Sequence, residues 1–193
     1  MIEPILLLLL GILVILAIIA ANGYFVAQEF AYMSVDRTRL AARAAEGDVA
    51  AQRAFKVTQR TSFMLSGAQL GITVTGLMVG FVAEPLVGQS LGVLLGGAGV
   101  AIGTVSALVL ATIIQMIFGE LFPKNLAIAN PEPLARGLAN STLIYLTVFG
   151  WLIGFFDKSA NIFLRLLRIE PIHDLDVSAS AEDLPRIIAD SRD

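Results

Sequence analysis

The stretch Phe118-Gly-Glu-Leu-Phe-Pro-Lys-Asn125 ends a long apolar run with a glycine, an acid, a proline and a lysine. Proline has no N–H and its ring opposes the carbonyl four residues earlier, so Pro123 breaks the helix and takes from the Gly119 carbonyl its usual partner. In hydrocarbon such an oxygen costs several kcal/mol unless protein, water or an ion meets it. Glu120 is its neighbour. A free backbone carbonyl beside a carboxylate on a proline-broken helix makes a hard all-oxygen corner of the kind Mg²⁺ or Ca²⁺ prefers, and transporters hold ions where helices are interrupted. The competing role for Glu120 is that of a helix-end acid paired with Lys124 at i+4.

Two other segments carry polar groups in apolar surroundings. Glu29 lies eight residues before Arg37, roughly 12 Å of helix from the charged boundary. An acid at that depth is a functional candidate, its alternative being a structural hydrogen bond to a neighbouring helix. Gln28 and Ser34 add oxygen donors nearby. In SGAQLGITVTG, Ser66, Gln69, Thr73 and Gly76 or Gly80 recur at three- or four-residue spacing on one helix face. Such a stripe either lines an ion path or binds helices together. Catalysis finds no support: the single histidine, His173, lies in an acidic tail, and no HExxH, GxSxG or P-loop pattern is present. The chain is not expected to be an enzyme.

The elements that must position these groups follow from hydropathy. An apolar content of 56% with only 15% charged residues, and a mean hydropathy of +0.80, indicate an integral membrane protein. The absence of cysteine excludes disulfides and thiolate metal sites. A bilayer core about 30 Å thick needs roughly 20 apolar residues of helix. Four segments qualify: Ile5–Val35, Ser62–Ala83, Val100–Phe118 and Leu138–Phe156. The first has no basic flank at its start and exceeds a signal peptide's apolar length, so it reads as a retained span.

The thirteen Lys and Arg residues are absent from 1–36 and from 61–123. The basic loop between the first two spans is therefore placed in the cytoplasm, which puts the N-terminus outside and the C-terminus inside. Basic residues are better explained here by this topology and by anionic lipid than by nucleic acid. Both flanks of the fourth segment are positive, Lys124 and Arg136 before it, Lys158, Arg165 and Arg168 after it. The expectation is thus three spans plus a belt helix at the cytoplasmic interface. After Pro171 the chain turns acidic and polar, and residues 172–193 read as a cytoplasmic segment leading away from a membrane domain of residues 1–171. Small-residue pairs (Gly76 with Gly80, Gly92 with Gly96, Gly99 with Gly103) permit close helix approach.

The motifs NGYFVAQEFAYMSVDRTRL, AQLGIT and FGELFPKNLAIANPE, in that order, resemble the CorC and cyclin M (CNNM) membrane domain. The resemblance covers nearly the whole chain, and GEL-x-PK is its most specific part. It implies an all-α, dimeric domain of three spans and a juxtamembrane belt in a prokaryotic plasma membrane, followed in full-length members by a cytoplasmic CBS-domain pair. It also implies Mg²⁺ export, in some forms coupled to Na⁺. Carried over by motif, the ion is bound at Gly119 and Glu120, while Glu29, Gln28, Ser66, Gln69 and Thr73 line or complete the cavity. The sequence departs from the family where other members have serines near the first-span acid and an asparagine pair in the second span. Ala27, Gln28, Ile72 and Thr73 stand there instead. Two functions are carried forward: a divalent-cation transporter, and a non-transporting module that anchors or regulates a cytoplasmic partner.

Overall fold

The computed structural model describes residues 2–88, 90, 93 and 99–169. The expectations for the acidic segment 172–193 and for the Gly92 and Gly96 pair lie outside these residues. All regular elements among those described are helical. α1 (Ile2–Ser34) is followed by α2 (Arg37–Ala45), α3 (Val49–Thr58) and α4 (Thr61–Val82), which runs on into a wide π turn at Ala83–Gly88. α5 (Gly99–Ile114) passes through a second π segment, Gln115–Leu121, into α6 (Phe122–Ala129). α7 (Pro131–Val148) and α8 (Gly150–Leu166) follow.

Three helical stretches are long and apolar enough to cross a membrane: Ile5–Ser34, Thr61–Gly88 and Gly103–Ala129. Large apolar side chains such as Leu13, Leu77, Phe81 and Val105 cover their outer faces. That is the arrangement expected of helices solvated by lipid, which leaves dispersion and polar contacts to hold them together. Residue pairing gives their relative directions. Gly11 meets Leu86 and Gly71 meets Phe25, so α4 runs antiparallel to α1; Gly23 meets Phe118 and Lys124 meets Phe30, so the third span runs parallel to α1.

The basic segment between the first two spans, expected as a loop, is a pair of short helices. Asp36 and Asp48 cap them, each accepting hydrogen bonds from two backbone N–H groups of the first turn. Gly47, at φ +93°, turns the chain between them. Their inner faces are small. Ala51 and Ala54 pack with Ala135 and Ala139 of α7 and with Leu40 and Val57 in a core that reaches Tyr32 and Met64.

Two span boundaries differ from expectation. The third span does not end at Phe118 and is not broken by Pro123: it widens to the π form over Gln115–Leu121, in which the Phe122 N–H bonds to the Ile117 carbonyl, and continues to Ala129. Pro123 then falls in the first turn of α6, where its missing N–H is tolerated. The fourth apolar segment is divided at Phe149 into α7 and α8, which meet at 78°.

Candidate cation site at the wide turn of the third span

Asn22 is the first strongly polar residue inside the apolar run of α1, and it is wholly buried. Its Nδ2 donates to the Gly119 carbonyl at 2.9 Å. The carbonyl released by Pro123 is therefore not free. A side-chain amide from another span takes the place of the lost helical N–H and satisfies the oxygen that hydrocarbon would otherwise strand. Because a carbonyl only accepts, this contact fixes the amide's orientation and turns Oδ1 toward Thr75. The Thr75 hydroxyl lies 2.7 Å from that oxygen and 2.7 Å from the Gly71 carbonyl of its own helix. With one proton, it donates to one of them at a time.

Glycine makes this approach possible. A Cβ on Gly23 would stand 3.0 Å from the Phe118 carbonyl oxygen and 3.2 Å from Pro123, and one on Gly71 would lie 2.5 Å from the Phe25 ring. A Cβ on Gly119 would stand 3.2 Å from Asn22 Nδ2. Three spans thus converge on one buried cluster of amide, hydroxyl and carbonyl groups. Gly119 and Asn22 each retain an unused oxygen lone pair there, the donor type that suits a hard cation.

Two helical turns further along α1, roughly 10 Å, the half-buried Glu29 lies under the electrostatic influence of Lys124. The ammonium of Lys124 sits 4.6 Å from the centre of the Phe30 ring. The lysine of the FGELFPKN motif thus faces α1, and among the described residues it makes no ion pair with Glu120. Glu120 itself is exposed on the outer side of the π segment. Gln28 is fully buried, with neither its amide oxygen nor its amide nitrogen hydrogen-bonded among the described residues.

The second-span stripe is placed otherwise than its polarity suggested. Gln69 and Thr73 are exposed and contact each other at 3.5 Å, while Ser66 donates to Asp157 of α8 at 3.0 Å. The face that α4 turns inward carries Met64, Gly67, Ala68, Gly71, Thr75 and Val79. Gly76 lies under the Gln115 side chain, and a Cβ on Gly80 would meet nothing within 4 Å among the described residues. Of the seven residues expected to hold the ion, the structure brings Gly119 into the buried cluster, Glu29 and Gln28 onto α1 beyond it, and leaves Glu120, Ser66, Gln69 and Thr73 outside it. Asn22 and Thr75 were missed. Both carried a signal: Asn22 interrupts the most apolar run of the chain, and Thr75 continues the Gly67 and Gly71 spacing. Among the described residues no three His, Asp or Glu side chains come together as a metal cluster.

Residues 12–193 match the cyclin M transmembrane N-terminal domain. An uncharacterized protein of Mycobacterium tuberculosis is 37% identical over 183 residues, which cover 94% of this chain and 53% of the relative. A UPF0053 protein of Bacillus subtilis, YhdT, is 32% identical over 192 residues, covering 96% of this chain and 40% of the relative. The polyamine export protein of Haemophilus influenzae is 27% identical over 168 residues, covering 84% of this chain and 39% of the relative. The chain thus spans about half or less of the length of these curated relatives. The match over nearly all its residues, joined to three apolar spans and the GEL-x-PK turn, shows that this integral membrane protein belongs to the cyclin M (CNNM) transmembrane-domain family.

Proposed function

We propose that the chain is the membrane part of a cation exporter, with Mg²⁺ as its cargo and the wide turn at Gly119 as the place where the ion is held. The observation that carries this reading is the buried contact of Asn22 with the Gly119 carbonyl, a polar junction of three spans at the depth where a passing ion must shed water. Glu120, next in the chain to Gly119 and exposed beside the cluster, supplies from there the negative charge that offsets dehydration, since Mg²⁺ gives up its waters reluctantly. Glu29 and the unpartnered amide of Gln28 extend the polar path along α1. In this reading no reaction is catalysed, and Na⁺ is the coupling ion. The basic ends of the helices lie in the cytoplasm with the bent pair α7 and α8 as the belt, and a CBS pair follows in the full-length protein. The exposed Gln69, Thr73 and Glu120, costly against lipid, are covered by a second copy of the chain.

Two observations favour a second reading, export of an organic polycation such as a polyamine. They are the name of the Haemophilus relative and the lack of a three-ligand metal cluster among the described residues. Flux from proteoliposomes separates the readings. Mg²⁺ efflux reduced on the order of tenfold in Glu120→Gln and unaltered in Lys124→Gln supports the first; spermidine efflux without Mg²⁺ efflux supports the second. Absence of both fluxes from well-folded protein would favour a non-transporting module that anchors or regulates a cytoplasmic partner.

A further inference from the structure

A cleft of about 740 Å³ opens between the end of α3, the start of α4 and the bend that joins α7 to α8. Its walls divide by chemistry. Lys56, Arg60 and Lys158 are exposed cations along the cleft, and none is in an ion pair among the described residues. The lining acid, Asp157, is already engaged, accepting from Ser66 at 3.0 Å and from Asn161 at 3.3 Å. The floor is apolar, formed by Leu143 and Leu146, with Gly150 and Gly154 leaving it flat against Phe63. The Arg60 guanidinium lies 4.4 Å from the centre of the Phe63 ring. Stacking there holds the arginine in place and leaves its edge N–H donors for an oxyanion.

Depth is fixed by the neighbours of these residues. Arg60 directly precedes the apolar span that begins at Thr61, and the exposed Trp151 lines the same cleft. Cations at the boundary of a span, an indole beside them and a greasy floor running inward are the features that fit a lipid headgroup and its chains. The geometry points to a binding site for one anionic glycerophospholipid, its phosphate between Arg60, Lys56 and Lys158 and its acyl chains along Leu143 and Leu146. A free phosphate would use the cations but have no use for the apolar floor. A zwitterionic lipid would fill the floor but bring its own cation to the rim. Lipid bound here would tie α3 and α4 to the α7–α8 bend, adding to the contacts of Asp157 with Ser66 and of the Tyr145 hydroxyl with the Gly67 carbonyl.

Trp151 is the only tryptophan in the chain, so the cleft carries its own reporter. The full chain is reconstituted in vesicles doped at equal mole fraction with acyl-brominated phosphatidylglycerol or acyl-brominated phosphatidylcholine, and quenching of Trp151 is followed. Stronger quenching by the anionic lipid is expected. The excess should fall at least about tenfold in apparent affinity when Arg60, Lys56 and Lys158 are all replaced by Gln, since each cation near an anionic headgroup is worth about fivefold. Arg53→Gln, an exposed cation outside the cleft, should keep the excess. Quenching by brominated phosphatidylcholine serves as the folding control and should be the same in wild type and triple variant. Equal quenching by the two lipids in wild type, or an undiminished excess in the triple variant, overturns the proposal. Loss of the excess on adding millimolar inorganic phosphate at constant ionic strength overturns the lipid assignment in favour of a free-anion site.

Discussion

Two polar junctions pin distant parts of this chain, and they are built on opposite principles. Inside the spans, Asn22 joins α1 to the π segment and to α4 with two neutral hydrogen bonds in a setting lined by glycine. Beyond the end of the spans, Glu132 at the start of α7 receives Arg39 at 3.1 Å and Arg43 at 2.7 Å, both from α2, while Arg136 of the same helix pairs with Asp48 at the cap of α3. The first junction has no formal charge, and its amide and hydroxyl are buried. The second has five charged groups, with the Glu132 side chain only 15% exposed and Arg39 65% exposed. Where water is absent, few contacts suffice because the alternative is an unpaired group; where water competes, holding the helices takes a network.

The largest expected effect comes from the buried junction. Asn22→Leu keeps the branched shape but strands the Gly119 carbonyl, while the Thr75 hydroxyl keeps the Gly71 carbonyl as acceptor, at a cost of about 2 kcal/mol, within the range for an unsatisfied buried group. Thermal unfolding in nanodiscs should show that loss unchanged between low and high salt. A salt-dependent loss would break the contrast. Next comes the glycine that lets α1 and α4 approach. Gly71→Ala drives a methyl into Phe25 and should cost about 1–2 kcal/mol. Phe25→Leu in the same chain should recover part of it, and failure to recover would mean that the strain lies elsewhere.

Glu132→Gln, at the charged junction, leaves Arg39 and Arg43 without their shared acid and should cost about 1 kcal/mol at low salt. The difference from wild type should shrink at about 1 M salt, where the screening length is about 3 Å. An unchanged difference would put the two junctions in one class. The smallest effect concerns acid. The Ala51 backbone N–H, aided by Arg136, the Ala50 N–H and Arg43 against an opposing effect of burial, holds the Asp48 carboxyl below the ordinary value of 3.8. A depressed folded-state value lends stability above the unfolded value and loses it as pH falls through the folded one. Acidification below about pH 4 should therefore lower the thermal midpoint, and Asp48→Asn should remove that part of the slope while keeping most of the cap. An identical slope in the variant would exclude Asp48 as its source.

The apolar spans were legible because lipid demands long apolar runs, and Ile5, Thr61 and Gly103 begin their spans within a few residues of where hydropathy put them. The hairpin of α2 and α3 was hidden by its charge: its basic residues read as a loop, although Asp36 and Asp48 are ordinary helix caps. The polar stripe of the second span did not say which face turns inward, and the reason is physical. In water polarity marks the outside, so a polar stripe in a membrane invites the opposite inference. Yet helix contact in lipid is governed by how closely backbones approach, and the glycine stripe through Gly67 and Gly71 faces inward while Gln69 and Thr73 face out. At Pro123 the proline rule named the right carbonyl but not its side-chain partner. The structure widens the helix and brings Asn22 to Gly119 where an open break was expected.

The wide turn at Gln115–Leu121 also bears on the chain's length. A π segment accommodates one residue more than an α-helix would in the same rise. Deleting one residue of this turn, such as Ile117, would let α5 and α6 run as one regular helix with the later residues still on their present faces, whereas deleting a residue from the regular α5 would turn every later residue by about 100° about the axis. That second deletion would take Lys124 from Phe30 and Ala127 from the alanine-rich core. The wide turn is thus where this span can lose a position and keep its register against α1.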